Sequence, residues 1–520
     1  MKTLDSPAKR KLPEQVASRR PKVRIHKLPT GARGLDDILG GGLPEFSCNI
    51  IAGAPGSGKT TLAHQIVFAN ATPSKPALYF TVFGEPALKM LRYQQQYSFF
   101  DASKLGKAIH FVNLSDAMLV QGWKALLDDI VKRVKAVNPG IVVVDSFRSV
   151  VRKAMGDGVN EGEMQLFLQS LAQFLTGWQA TTLLVGEYAL SEVHDNPMFT
   201  IADGLLWLSQ AVERNSVVRK LQVIKSRGQA SVPGLHTIRI SDDGLQAFSR
   251  TMGLHGKKKK LERQQRKLST GILELDEMMG GGIVQGDSLL VAGPSGTGKS
   301  ALATQFIAEG LGHGEPGVMA IFEERPEGYA DRADSFGLNL KTPQAKGQLE
   351  ILYLRPLDLS VDETMQEILD AIDRVGAKRL VIDSLVGFEM ALAPGFRADF
   401  RESLYRMIVA LTGAGVTILS TVEVEDSFTE MSFSHYTISF LTDDIIRMRY
   451  VEIDGQLRKV IVVIKMRGGN HSKDIREYVV TDKGVVVIGP RQTNYARLTT
   501  GIPERIGQQD EVAPEPKATQ

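Results

Sequence analysis

Short apolar runs alternate along this chain with longer stretches of helical character. Asn49-Ile-Ile-Ala52 leads into a glycine-rich segment, and Thr61 to Asn70 continues from it as a helix. Ala77 to Val82, Ile141 to Val144 and Thr182 to Val185 read as further strands. A continuous apolar run of this length suits a strand buried on both faces. Strands separated by helices therefore predict parallel βαβ units and a sheet covered on both sides. Val217 to Ile224 and Thr237 to Ile240 read as later strands that extend the sheet in antiparallel fashion.

The pattern occurs twice. Thr30-Gly31 through Asp36 to Gly40-Gly41-Gly42 returns as Thr270-Gly271 through Asp276 to Gly280-Gly281-Gly282, an offset of 270 − 30 = 240. Gly53 to Thr60 (GAPGSGKT) returns as Gly293 to Ser300 (GPSGTGKS), and Lys225-Ser-Arg227-Gly228 as Lys465-Met-Arg467-Gly468, in the same register. A domain-sized period means duplication of a whole domain, not a solenoid. The expected organisation is a basic arm at 1–25, a first domain at 26–250, a basic linker at 251–267, a second domain at 268–490 and a Pro/Glu/Gln-rich tail at 491–520.

Composition changes this picture little. With 520 residues the chain exceeds one core, and 43% apolar and 23% charged residues are ordinary for a soluble protein. The one cysteine, Cys48, leaves no disulfide framework and no cysteine-based zinc site. No apolar run reaches membrane-spanning length and no secretory h-region is visible, so the expectation is a cytoplasmic protein. A net charge of +3 is no argument for nucleic acid, and the HGKKKKLERQQRK run reads as a solvated linker.

The strongest chemistry lies in the two glycine loops. Gly-x4-Gly-Lys-Ser/Thr between a strand and a helix lets backbone N–H groups and the helix N-terminus face a phosphate. That assigns Gly53, Gly56, Ser57, Gly58, Lys59, Thr60 and Thr61 to one nucleotide site, and Gly293, Gly296, Thr297, Gly298, Lys299, Ser300 and Ala301 to another. Lys59 and Lys299 should reach the β- and γ-phosphates, while Thr60 and Ser300 should coordinate Mg²⁺. Asp145 and Asp383 each end an apolar strand and are followed by serine. A carboxylate there can hold the water shell of Mg²⁺; the bland alternative is a helix cap. In the second half the strand from Val318 ends on Glu323-Glu324, a candidate general base or else a solvated pair. Equal lysine-to-proline spacing, 86 − 59 = 27 and 326 − 299 = 27, sets Phe83 and Gly84 in their place in the first half, with Glu85 adjacent.

These segments resemble the KaiC family of duplicated RecA-fold ATPases over roughly residues 28 to 490, with Tyr450-Val-Glu-Ile-Asp-Gly and Ile475-Arg-Glu-Tyr adding to the match. The resemblance implies an α/β fold of two tandem RecA-like P-loop NTPase domains with largely parallel central sheets. It also implies a two-tiered homohexamer with ATP between subunits, slow ATP hydrolysis, and serine/threonine autokinase activity in the second domain. By it, Glu323 and Glu324 activate the attacking group. Lys465 and Arg467, and likewise Lys225 and Arg227, would reach a neighbour's γ-phosphate. Cyanobacterial clock members carry adjacent Ser and Thr before a Thr-Asp pair. Anchored on Thr442-Asp443, this chain offers Ser439 followed by Phe440, so the candidate phosphosite is Ser439, with Thr437 and Thr442 as alternatives and an interface hydroxyl as the bland reading. A KaiB-type partner on the first domain fits the resemblance; KaiA-type control of the tail does not. Two other classes stay open: an ATP-dependent assembly scaffold without kinase activity, and a RecA-like DNA-dependent ATPase, which salt-sensitive DNA binding would reveal.

Overall fold

The computed structural model describes residues 25–82, 92–114, 123–149, 161–193, 196–213, 216–250, 266–354, 360–392, 400–424, 442–453, 455–488, 495–496 and 504–505. Each half is built on a nine-stranded sheet. In the first half the strands are β1 (Cys48–Gly53), β2 (Ala77–Val82), β3 (Ile109–Leu114), β4 (Ile141–Asp145), β5 (Thr181–Glu187), β6 (Gly204–Glu213), β7 (Ser216–Ser226), β8 (Leu235–Ser241) and β9 (Gly244–Phe248). The second half repeats them as β10 (Ser288–Gly293), β11 (Gly317–Ile321), β12 (Leu349–Tyr353), β13 (Arg379–Asp383), β14 (Thr417–Glu423), β15 (Asp444–Ile453), β16 (Gln456–Lys465), β17 (Arg476–Thr481) and β18 (Gly484–Val487).

The first sheet runs in the order β9-β8-β7-β6-β1-β5-β4-β2-β3, and the second runs β12-β11-β13-β14-β10-β15-β16-β17-β18, the same order read from the other edge. β3, β2, β4, β5, β1 and β6 are parallel, whereas β7, β8 and β9 continue antiparallel. Helices cover both faces. Those used below are α1 (Lys59–Asn70), α2 (Trp123–Val137), α3 (Glu161–Gly177), α4 (Lys299–Gly312), α5 (Pro326–Ser335), α6 (Val361–Val375), α7 (Leu385–Ala391) and α8 (Phe400–Gly413). Each half accordingly carries one large apolar cluster per sheet face, and the second adds a small one of Val451, Ile453 and Val460. At about 1.5–3 kcal/mol for each fully buried aliphatic or aromatic side chain, these clusters supply most of the favourable free energy of folding.

The repeated Thr-Gly…Asp…Gly-Gly-Gly segment is structural. Asp36 Oδ1 accepts from both the backbone N–H and the hydroxyl of Thr30, and Asp276 Oδ1 does the same for Thr270. Gly42 and Gly282 have positive φ, and a Cβ on either would lie 2.4 Å from the carbonyl oxygen of Leu28 or Leu268. Only glycine fits that approach.

The halves meet through polar groups. On α6, Asp362 accepts from the Thr237 hydroxyl (3.4 Å) and pairs with Arg406 (3.1 Å), which also donates to the carbonyl of Arg250 (2.5 Å). Arg239 of β8 pairs with Glu363 at 2.8 Å, Arg250 with Glu402 at 3.1 Å, and Arg33 with Asp370. Among the described residues no helix is long and apolar enough to cross a membrane.

Candidate functional site

Each glycine loop joins the strand at the centre of its sheet to a buried helix. β1 hands the chain through Gly53 to Gly58 into α1, and β10 passes through Gly293 to Gly298 into α4. Gly58 and Gly298 precede their helices with φ near 100°, and a Cβ there would press on Ile240 or Val480 within 3 Å. Glycine is therefore needed both for the dihedral and for the antiparallel extension packed beneath the loop. Lys59 and Lys299 curl back over the loop, donating to the carbonyls of Ala54 (2.7 Å) and Pro294 (2.8 Å). Burial lowers both lysine pKa values; Glu187 and Asp145 oppose this for Lys59, and Glu423, Asp383 and Glu323 for Lys299. An anion delivered to the loop would offset that burial cost.

An open cleft of about 480 Å³ lies over the first loop, bounded among others by Lys59, Thr60, Asp145, Glu187 and Arg219. Its counterpart of about 360 Å³ is bounded by Lys299, Ser300, Glu323, Asp383, Glu423 and Lys459. Asp145 ends β4, where its Oδ2 accepts from the hydroxyls of Thr60 (2.8 Å) and Tyr79 (2.9 Å). Burial raises its pKa, with those two hydrogen bonds acting in the opposite direction. Asp383 ends β13, where Oδ1 accepts from Thr421 and Oδ2 from Tyr329 at 3.1 Å. Tyr79 comes from β2 and Tyr329 from α5, so two unrelated positions deliver one contact. A paired hydroxyl and carboxylate supply hard oxygen donors of the kind Mg²⁺ takes alongside water and phosphate. No group of three or more His, Cys, Asp or Glu side chains placed to hold a metal ion occurs among the described residues.

The strand expected to end on Glu323-Glu324 stops earlier, at Ile321, and the pair occupies the bend before Pro326 opens α5. The bend splays the two carboxylates apart. Glu323 is exposed in the cleft and accepts from Ser384 Oγ at 2.7 Å, whereas Glu324 pairs with Arg332 at 2.7 Å and does not line the cleft. Ser384 also caps α7 by accepting from the Gly387 N–H, so serine performs the capping that the Asp-Ser pair suggested and leaves Asp383 free of it. Phe83, Gly84 and Glu85 lie outside the described residues, as do Thr437, Ser439 and Phe440. Thr442 is described and buried, and its carbonyl accepts from Lys465 at 2.6 Å.

Lys225, Arg227, Lys465 and Arg467 are not among the residues lining the clefts of their own chain. Lys225 donates to the Thr200 carbonyl at 2.7 Å. Arg227 pairs with Asp203 at 3.3 Å and Arg467 with Asp443 at 3.0 Å, a contact preserved at the 240-residue offset. Among the cleft residues that sequence reasoning missed are two cations and two carboxylates. Arg219 donates to the Gly56 carbonyl (3.4 Å) and Lys459 to that of Gly296 (3.0 Å), and 459 − 219 = 240 could have revealed them. Glu187 and Glu423 terminate β5 and β14.

Comparison with known proteins agrees with this architecture. The family described as "ATPase: KaiC" matches residues 28–251 and again 268–492. A circadian clock oscillator protein KaiC from Prochlorococcus marinus (strain MED4) is 28% identical over 499 residues, covering 93% of this chain and 95% of that one. Proteins of the same name from Picosynechococcus (27%, 93% of each chain) and Thermostichus vulcanus (28%, 95% of each) are similarly related.

Proposed function

The chain belongs to the KaiC family of ATPases, and from that premise we propose that it is an ATP-hydrolysing ring protein whose second half phosphorylates its own chain on serine or threonine. The observation carrying this reading is Glu323, held by Ser384 at 2.7 Å and exposed in the cleft that Lys299 and Asp383 line. A carboxylate there suits removal of a proton from a hydroxyl as it attacks the γ-phosphorus. Loop N–H groups would cradle the phosphates, and Lys299 would neutralise charge on the transferring group. Ser300 and Asp383 in the second half, and Thr60 and Asp145 in the first, would hold Mg²⁺, which when bound would neutralise phosphate charge.

A homohexamer with ATP between subunits is the assembly we propose. It is supported by Lys225, Arg227, Lys465 and Arg467, which do not line their own chain's clefts and can serve a neighbour's phosphate as a cation supplied in trans. The relatives' name supports a role in timing or signalling, with a KaiB-type protein as the candidate partner. Ser439 is the proposed acceptor. The test is phosphosite mapping by mass spectrometry after incubation with Mg-ATP, beside a Glu323→Gln/Glu324→Gln variant. Phosphate on or near Ser439 in the parent and not in the variant is the expected result. ATP hydrolysis with no phosphate on the protein would sink the kinase reading and favour an assembly ATPase.

A further inference from the structure

β5 is buried residue by residue until its last member, Glu187, which is exposed. β14 repeats this pattern, buried throughout and ending on exposed Glu423. Both strands lie directly beside the strand that feeds the phosphate loop, with Gly53 opposite Glu187 and Gly293 opposite Glu423. Each carboxylate therefore stands at the cleft rim next to the first residue of the loop, and both line the clefts. The end of β5 is fixed from the other side, because Arg148 donates to the Glu187 carbonyl at 2.6 Å and pairs with Glu192 at 2.9 Å. Each glutamate also heads the carboxylates that act on the burial-depressed loop lysine, Glu187 on Lys59 and Glu423 on Lys299.

The two clefts differ in what else they hold. The second has Glu323 as well as Glu423, whereas equal lysine-to-proline spacing gives the first Phe83 and Gly84 where the second has Glu323 and Glu324. Among the described residues lining the first cleft, the carboxylates are Asp145 and Glu187, and Asp145 is engaged by Thr60 and Tyr79.

We propose that Glu187 is the water-activating carboxylate of the first half, so that this half hydrolyses ATP without a counterpart of the Glu323-Glu324 pair. This rests on the ATPase reading above. In the step, a water oxygen bonds to the γ-phosphorus while the bond from that phosphorus to the β,γ-bridging oxygen breaks. ADP leaves with the electron pair, and Glu187 takes the proton of the attacking water and returns it to solvent or to the released phosphate.

The test uses the full chain carrying Lys299→Ala, in which phosphate release reports the first half, with and without Glu187→Gln or Glu85→Gln. Single-turnover phosphate release and binding of a fluorescent ATP analogue are both measured. Glu187→Gln should slow release about 100-fold or more while leaving analogue binding nearly unchanged, since loss of a general base costs at least that much. Unchanged release in Glu187→Gln overturns the inference, as does weakened binding at an unchanged rate, which would make Glu187 a mere counter-ion of Lys59. Abolition by Glu85→Gln with release retained in Glu187→Gln also overturns it. Absence of release from the Lys299→Ala parent, with the wild-type chain still active, overturns it too and leaves the ATPase reading intact; an inactive wild type is the separate failure of that reading.

Discussion

At the scale of single residues, the two buried tyrosines are the most informative side chains outside the loops. Tyr79 and Tyr329 are almost fully buried, and each donates its hydroxyl to the strand-end aspartate. Burial is the main cause raising both phenol pKa values, and the neighbouring aspartate adds to it, so both stay protonated donors. A neutral donor in this position orients the carboxylate without contributing charge. Replacing either by phenylalanine keeps the ring and its packing and deletes one hydrogen bond to a charged group. Such a bond is worth roughly 1.5–3 kcal/mol, so Mn²⁺ affinity of that half's nucleotide complex should fall by about 10-fold or more. Titration of free Mn²⁺ by electron paramagnetic resonance measures this directly. Unchanged affinity in both variants would mean that the aspartates need no such orientation.

Among elements, α6 displays how local signals fix a helix. The Ser360 side chain accepts from the Glu363 N–H at 3.1 Å, Asp362 and Glu363 fill the first turn, and Gly376 ends the helix with φ of 69°. Ser360→Ala should cost about 1 kcal/mol, the usual worth of an N-cap, and lower the denaturation midpoint without altering phosphate release; a loss well above 2 kcal/mol would indicate a further role for that hydroxyl. Such signals explain what the sequence made legible. Ala77–Val82 appears as a strand with the boundaries its apolar run predicts, and Ile141 and Thr182 mark strands that extend by only a residue or two. Ile109–Leu114 escaped notice because this edge strand, IHFVNL, is neither a continuous apolar run nor a regular alternation. At the site, the loops and Asp145 and Asp383 were visible through the repeat. Glu187 and Glu423 were not, since each is a lone carboxylate after an apolar run and their spacing, 423 − 187 = 236, departs from the 240 register by four, against two for Asp145 and Asp383. Tyr79 and Tyr329 sit on non-equivalent elements, and no periodicity could have paired them. The bend that separates Glu323 from Glu324 depends on tertiary packing, which adjacency in sequence does not encode.

For the whole molecule, two loops of like geometry predict two nucleotides per chain. Lys59→Ala and Lys299→Ala should each reduce the bound nucleotide, measured by chromatography after denaturation, from two to one. The halves are joined by a titratable contact. Glu363 on α6 is buried against Arg239 of β8, and its pKa rises from 4.5 to about 7. Burial is the main cause, opposed by Arg239 and reinforced by Glu367 on the same helix. Between pH 4.5 and about 7 the folded chain therefore holds a proton that the unfolded chain has released. Stability from this group is complete below pH 4.5, falls through the window and is flat above it, by about 3 kcal/mol at most. Nearby His236 is buried with a lowered pKa, chiefly from burial, so its contribution rises with pH and partly masks the trend in the wild type. Comparison with Glu363→Gln removes that overlap, because His236 contributes alike to both proteins. The difference in Tm, variant minus wild type, should grow as pH rises from 5 to 7.5 and then level off. Glutamine retains an oxygen for Arg239 and never ionises. Parallel Tm profiles across that range would mean that Glu363 is charged at the junction of the halves and that Arg239 outweighs its burial.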